Sequence, residues 1–278
     1  MSIELNPAEA GQAPGSATSP AAQQASADTV MLKAVDLTLS FGARTILTGV
    51  NVDIKRGAVT ALIGPTGSGK TTLLRTFNRM NDKVTGYRHA GDVLLDGHSI
   101  WHSGVELMSL RRRVGMLFQR PNPFPMSIME NVTAGARAHK LASKNGMRAI
   151  AEEYLTAVGL WSAVSGRLKD SPFRLSGGQQ QLLCLARALA IEPDVLLLDE
   201  PTSSLDPNAT ESIEQLVRTL TPKLTVVIVT HNMAQARRVA DYTMFLNQGR
   251  LVEYGVTEQV FEHPVEEETA RYVGGRFG

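Results

Sequence analysis

Gly64, Pro65, Thr66, Gly67, Ser68, Gly69, Lys70 and Thr71 follow the spacing G-x-x-x-x-G-K-[ST], which suits phosphate binding. Glycines let successive backbone N–H groups turn inward around a phosphate, and a helix N-terminus adds partial positive charge. Lys70 is placed to reach β- and γ-phosphates. Thr71 is placed to set its hydroxyl on Mg²⁺, a hard cation that keeps several waters and takes few protein ligands. The alternative is a Gly-rich strand-to-helix turn that binds nothing. At ordinary glycine usage the four fixed positions arise by chance in only about one chain in a hundred of this length.

Leu196-Leu197-Leu198-Asp199-Glu200 is a second reactive stretch, an apolar run ending in two carboxylates. At the carboxyl edge of a parallel sheet, where ligands bind, Asp199 suits the water shell of a metal. Glu200, one residue on, suits polarising a water in line with a γ-phosphate, as base or positioner. Alone, an acidic pair at a strand end is common loop chemistry; the phosphate loop gives it this reading. Leu175-Ser176-Gly177-Gly178-Gln179 is the third stretch, a second anion-binding helix start. One nucleotide does not need two such ends so far apart in the chain. The simplest use is in trans, in a two-fold dimer whose helices each face the nucleotide held by the partner.

Positioning these groups requires strands that enter and helices that leave. Val59 to Ile63 leads into the phosphate loop and a helical pattern from Thr72 to Met80 follows it. Before it, strands are expected from Met31 to Phe41 and from Gly49 to Ile54, and after it from Asp92 to Leu95 with a tight turn at Asp96-Gly97. Val114 to Phe118 reads as a buried strand that runs into the proline-stiffened loop from Gln119 to Met126. Ser127 with Glu130 forms a capping box, and helical spacing fills 143 to 168. Helices are expected after Ser176, from Pro207 to Leu220 and near Met233, with strands at 195–198, 225–229, 242–246 and 250–254. Strands alternating with helices predict an α/β fold with a mainly parallel sheet covered on both faces.

Composition bounds the function classes. Among 278 residues, 28 are basic and 27 acidic, so no net charge or basic stripe favours nucleic acid. The single cysteine, Cys184, excludes an internal disulfide or a multi-cysteine zinc site and reads as core filler. The longest apolar runs are too short to cross a bilayer. Residues 1–29, rich in Ala, Gln, Pro, Ser and Gly, read as a disordered tail and not as a secretory signal.

Taken in order, Gly64 to Thr71, Gln119, Leu175 to Gln179, Leu196 to Glu200, Ser204-Leu205-Asp206 and His231 resemble the ATP-binding cassette ATPases. The resemblance covers essentially residues 31–278. It implies a P-loop NTPase fold over 30–278, with a mainly parallel sheet core, an antiparallel β subdomain and a helical subdomain at about 125–185. It further implies ATP and Mg²⁺ as cofactors. By that resemblance Gln119 is the residue expected to touch Mg²⁺ and the attacking water, Asp206 to lie in a loop crossing the dimer interface, and His231 to contact the γ-phosphate. Phe41 matches the aromatic residue that stacks on adenine, where Tyr is commoner. Nucleotide binding thus falls to Phe41, the 64–71 loop with Thr72, and Ser176, Gly177, Gly178, Gln179 and Asp206. The metal falls to Thr71, Gln119 and Asp199, and catalysis to Glu200, His231, Lys70 and Gln119. Leu182 stands where the family commonly has Arg.

Residues 75–82, 111–116, 119–131 and 230–233, and the terminal Gly-Arg-Phe-Gly, are similar to the ATP-binding subunit of bacterial phosphate importers. That resemblance implies an ATPase homodimer, peripheral on the cytoplasmic face of the membrane, with two transmembrane permease subunits and an external phosphate-binding protein. Pro123, Phe124, Pro125, Met126 and Met129 then form an apolar patch for a permease helix. An importer of another solute and a soluble non-transport cassette ATPase are the alternatives, since nothing in these residues' physics selects phosphate.

Overall fold

Leu32, Ala34, Leu37 and Leu39 are buried while Asp36 and Thr38 are not, the alternation of a half-buried strand. The computed structural model describes residues 29–143, 145–203 and 205–275. The expected tail therefore lies outside the described residues, apart from Thr29, as do Ser204 and the last three residues of the terminal motif. β1 (Val30–Phe41) pairs antiparallel with β2 (Arg44–Lys55). β2 is longer than its sequence pattern because β1 offers a partner along its whole length and register shifts absorb the irregular stretch, with Gly49 at φ 58°. β3 (Val59–Ile63) leads to α1 (Lys70–Thr76). That helix ends before Met80, since Arg79 turns left-handed at φ 57° and the Asn81 amide donates to the Thr72 carbonyl.

β4 (Tyr87–Leu95) and β5 (His98–Ser99) complete a four-stranded antiparallel sheet in the order β2-β1-β4-β5. α2 (Leu107–Arg113) and β6 (Val114–Leu117) follow. Next come α3 (Ile128–Ala138), α4 (Met147–Ala157), α5 (Trp161–Val164) and α6 (Gly177–Leu189). The Ser127–Glu130 capping box starts α3, and α3 packs on both α4 and α6. The chain then alternates through β7 (Val195–Asp199), α7 (Pro207–Leu220), β8 (Thr225–Val229) and α8 (Met233–Val239). β9 (Tyr242–Asn247), β10 (Arg250–Val256), α9 (Thr257–Glu262) and α10 (Glu267–Val273) close it.

The second sheet runs β10-β9-β3-β8-β7-β6, parallel except for β10. Its central strands are buried throughout and mostly apolar because both faces are covered. Ala61, Ile63, Leu196, Leu198, Val226 and Ile228 pack into one core with α3, α4 and α6 to α8. Leu62, Val195, Leu197, Val227 and Val229 pack into the other with α1 and the antiparallel sheet. Each such Val, Leu or Ile side chain contributes about 1.5–3 kcal/mol relative to exposure. Cys184, 2% exposed, fills the first core, and burial pushes its thiol pKa up. Among the described residues no helix is long and apolar enough to cross a membrane.

This strand order positions the site. β3, β8, β7 and β6 are neighbours and parallel, so the segments leaving their carboxyl ends emerge side by side. Those segments carry Gly64, His231, Glu200 and Gln119.

Candidate active site

Backbone geometry shapes the phosphate loop. Gly64 has φ 146°, and a Cβ there would stand 2.0 Å from the Leu246 carbonyl oxygen. At Gly69, φ 103°, a Cβ would meet Leu47 Cδ2 at 2.5 Å. At Gly64 any side chain would displace the β9 backbone, whereas at Gly69 the left-handed φ itself favours glycine and the Leu47 side-chain end could shift aside. Pro65 is half-buried, while Thr66 and Gly67 form the open tip. Lys70 Nζ donates to the carbonyls of Gly64 and Pro65, both at 2.8 Å. Burial lowers the Lys70 pKa, against the opposing pull of Glu200 and Asp199. The Ser68 hydroxyl is buried with no partner among the described residues. An unpaired donor in a loop of this shape fits a phosphate oxygen.

Beside the loop, Thr71 Oγ1 donates to Asp199 Oδ1 at 2.9 Å, and Arg75 Nη2 lies 3.4 Å from Asp199 Oδ2. Asp199 is 2% exposed. Thr72 also lies in this first helical turn, half-buried. The hydroxyl of Thr71 and the carboxylate of Asp199 are hard oxygen donors of the kind Mg²⁺ takes. Gln119, the third expected metal ligand, is turned toward Glu200: its Nε2 donates to Glu200 Oε2 at 2.7 Å. The other Glu200 oxygen lies 2.6 Å from His231 Nε2. Glu200 itself has φ 47°, and its N–H donates to the Val229 carbonyl at 3.0 Å. A non-glycine residue held left-handed costs on the order of 1–3 kcal/mol, so the surrounding packing holds this carboxylate in place.

The remaining expected residues make no hydrogen bond to this cluster among the described residues. Ser176 and Gln179 cap α6 reciprocally, the Ser176 hydroxyl accepting from Gln179 N at 3.3 Å and Gln179 Oε1 from Ser176 N at 3.2 Å. Gly177 is open, and a Cβ on Gly178 would stand 3.2 Å from Leu205. Asp206 caps α7 by accepting from Ala209 N at 3.0 Å. The Phe41 ring lies 5.7 Å from that of Tyr87, tilted 45°. In the apolar patch Phe124 and Met126 are exposed, but Met129 packs against the core. Arg187 sits 4.1 Å over the Phe124 ring and bonds to Asn122, so α6 stiffens this loop. Leu182 is half-buried on the core.

Several polar residues that sequence reasoning passed over support the site. Gln235, 1% exposed, donates through Nε2 to Thr202 Oγ1 at 3.0 Å and to Glu214 Oε1 at 3.1 Å. Arg238 donates twice to Glu214, at 2.8 Å each. Burial works to raise the Glu214 pKa, but the bonds from Arg238 and Gln235 prevail and hold it below the usual carboxylate range. These residues line a cleft of about 770 Å³ between the 200–206 loop, α7 and α8, onto which Glu200 and His231 open. Their one signal in sequence was a polar side chain on the inward face of an amphipathic helix.

The ABC transporter family model matches residues 47–203. The chain is 64% identical over 242 residues to the phosphate import ATP-binding protein PstB of Mycobacterium intracellulare, covering 87% of this chain and 85% of that protein. It is 62% identical over 247 residues, 89% of each chain, to the phosphate import ATP-binding protein PstB 2 of Mycobacterium tuberculosis. Among solved structures, cbiO1 from Clostridium perfringens, part of the ABC transporter complex cbiONQ, superposes with a TM-score of 0.72 at 31% identity, over 89% of this chain and 96% of that one. The ATP-binding cassette MJ0796, a dimer in a post-hydrolysis state bound to ADP and Pi, superposes with a TM-score of 0.71 at 30% identity, over 82% and 99%.

Proposed function

Because the chain belongs to the ABC transporter family, we propose that it is the ATP-hydrolysing subunit of an importer of inorganic phosphate. The observation that carries the ATPase reading is Glu200, held at the end of β7 between Gln119 and His231 and next to the Thr71–Asp199 pair. The mycobacterial relatives named as phosphate import proteins support the cargo.

In this reading the 64–71 loop and Thr72 cradle the phosphates of ATP, and Lys70 exchanges its two loop carbonyls for phosphate oxygens. Phe41 stacks on the adenine. Thr71, Asp199 and Gln119 would hold Mg²⁺, which would supply charge neutralisation for phosphoryl transfer. Glu200 orients a water in line with the γ-phosphate and takes its proton, while His231 contacts the γ-phosphate. Ser176, Gly177, Gly178, Gln179 and Asp206, whose hydrogen bonds within the chain are local caps, face the nucleotide of a second copy. Two copies close around two ATP, since a γ-phosphate bridges both halves and ADP lacks it. Closure at the cytoplasmic face moves two permease subunits that receive cargo from an external binding protein. Phe124 and Met126 offer those subunits an apolar surface. Nucleic acid has no part.

The test is uptake of radiolabelled phosphate, with sulfate as control, in phosphate-starved cells lacking other phosphate systems, whose only copy carries Lys70→Ala. The expected outcome is loss of phosphate uptake alone, restored by the unmutated chain. Undiminished phosphate uptake would overturn the cargo assignment.

A further inference from the structure

Gln181 lies on α6 in the run Gln181-Leu182-Leu183-Cys184-Leu185, at a position where the helix turns into the core and only 2% of the residue is exposed. Its Nε2 donates to the Phe118 carbonyl at 2.9 Å and lies 3.4 Å from the Pro201 carbonyl. Phe118 immediately precedes Gln119, and Pro201 immediately follows Glu200. The ladder between β6 and β7 ends with the pair Leu117 and Leu198. Beyond that pair no sheet bond sets the separation of the two segments, and the Gln181 amide spans them. The side chains of Gln119 and Glu200 meet at 2.7 Å just beyond it.

We infer that Gln181 is a positioning residue for hydrolysis: its amide sets the separation of Gln119 and Glu200 and makes it follow the position of α6. A side chain kept only for packing has no need of this chemistry. Gln181 Oε1 is buried without a partner among the described residues, a cost that a Leu or Met of similar size avoids. α6 begins at Ser176 and Gly177, so a nucleotide engaged at its start in a second copy acts through the same helix on Glu200 of this chain. The inference rests on the proposed role of Glu200 in hydrolysis.

The test uses the purified full-length chain and three variants, Gln181→Met, Gln181→His and Glu200→Gln. Gln181→Met keeps the length and removes the donor. It should lower kcat roughly 10- to 100-fold, the scale expected for a misplaced catalytic group. KM for ATP and the affinity for a fluorescent ATP analogue should stay within about twofold, since neither depends on the tie. Gln181→His retains an N–H at similar reach and should recover part of the lost kcat. Wild-type kcat in Gln181→Met would overturn the inference, as would equal losses in both Gln181 variants that track their melting temperatures. Should Gln181→Met not fold, a Gln181→His chain that folds but hydrolyses no faster than Glu200→Gln overturns it equally. Turnover surviving in Glu200→Gln removes the underlying reading instead, so the two failures are distinguishable.

Discussion

Glu200 owes its position to three separate constraints. Its backbone is held left-handed at φ 47°, its N–H is bonded to the end of β8, and its two oxygens face Gln119 and His231. Replacing the carboxylate by its amide keeps the shape and removes the proton acceptor. Glu200→Gln should therefore bind ATP with near-normal affinity, lose roughly 10²- to 10⁴-fold in turnover, and accumulate as an ATP-bound dimer. Size-exclusion chromatography with and without ATP, beside a phosphate-release assay, checks this. Near-normal turnover would take Glu200 out of the mechanism. The phosphate loop was legible at this scale because its parts are contiguous and its glycines answer to backbone geometry. The partnership of Glu200 with Gln119 was not, since 81 positions separate the two in the chain.

The strands that carry these residues were legible as apolar runs, and their shared edge follows from parallel pairing. The tie between α7, α8 and Thr202 was not, because it joins one amide and one guanidinium on α8 to one carboxylate on α7 and one hydroxyl in the loop after Glu200. Glu214 is held below the usual carboxylate range, so it contributes stability that is present above the unfolded value of about 4.3 and lost as pH falls through the lower folded one. Glu214→Gln should lower stability at pH 7 by about 1–3 kcal/mol, allowing for the half-exposed Arg238. The deficit should shrink once the pH drops below the folded value and the wild type is protonated too. Urea denaturation at neutral and acid pH measures both. A deficit independent of pH would mean that Glu214 acts through packing alone.

At the scale of the molecule, one chain brings Lys70, Thr71, Asp199, Glu200, Gln119 and His231 together, while among the described residues Ser176 and Asp206 bond only within their own helix caps. The proposed completion of the site by a second copy predicts that hydrolysis depends on association. Specific ATPase activity should rise with protein concentration and then level off as dimers form. Activity proportional to protein at every dilution would point to a site complete in one chain.

The residue types, the order of strands and helices and the chemistry open to the phosphate loop and the Asp199-Glu200 pair were determined by the sequence itself. Each depends on neighbours within a few positions, where backbone propensity, apolar periodicity and glycine geometry act. Only the tertiary structure decided which distant groups meet: that Gln119 and His231 share one carboxylate, that β2 pairs along its whole length, that Met129 turns inward, and that Gln181 and Gln235 grip the chain after Glu200. Those outcomes follow from sheet order and from the need of buried polar groups for partners, and neither is written in any single stretch of sequence.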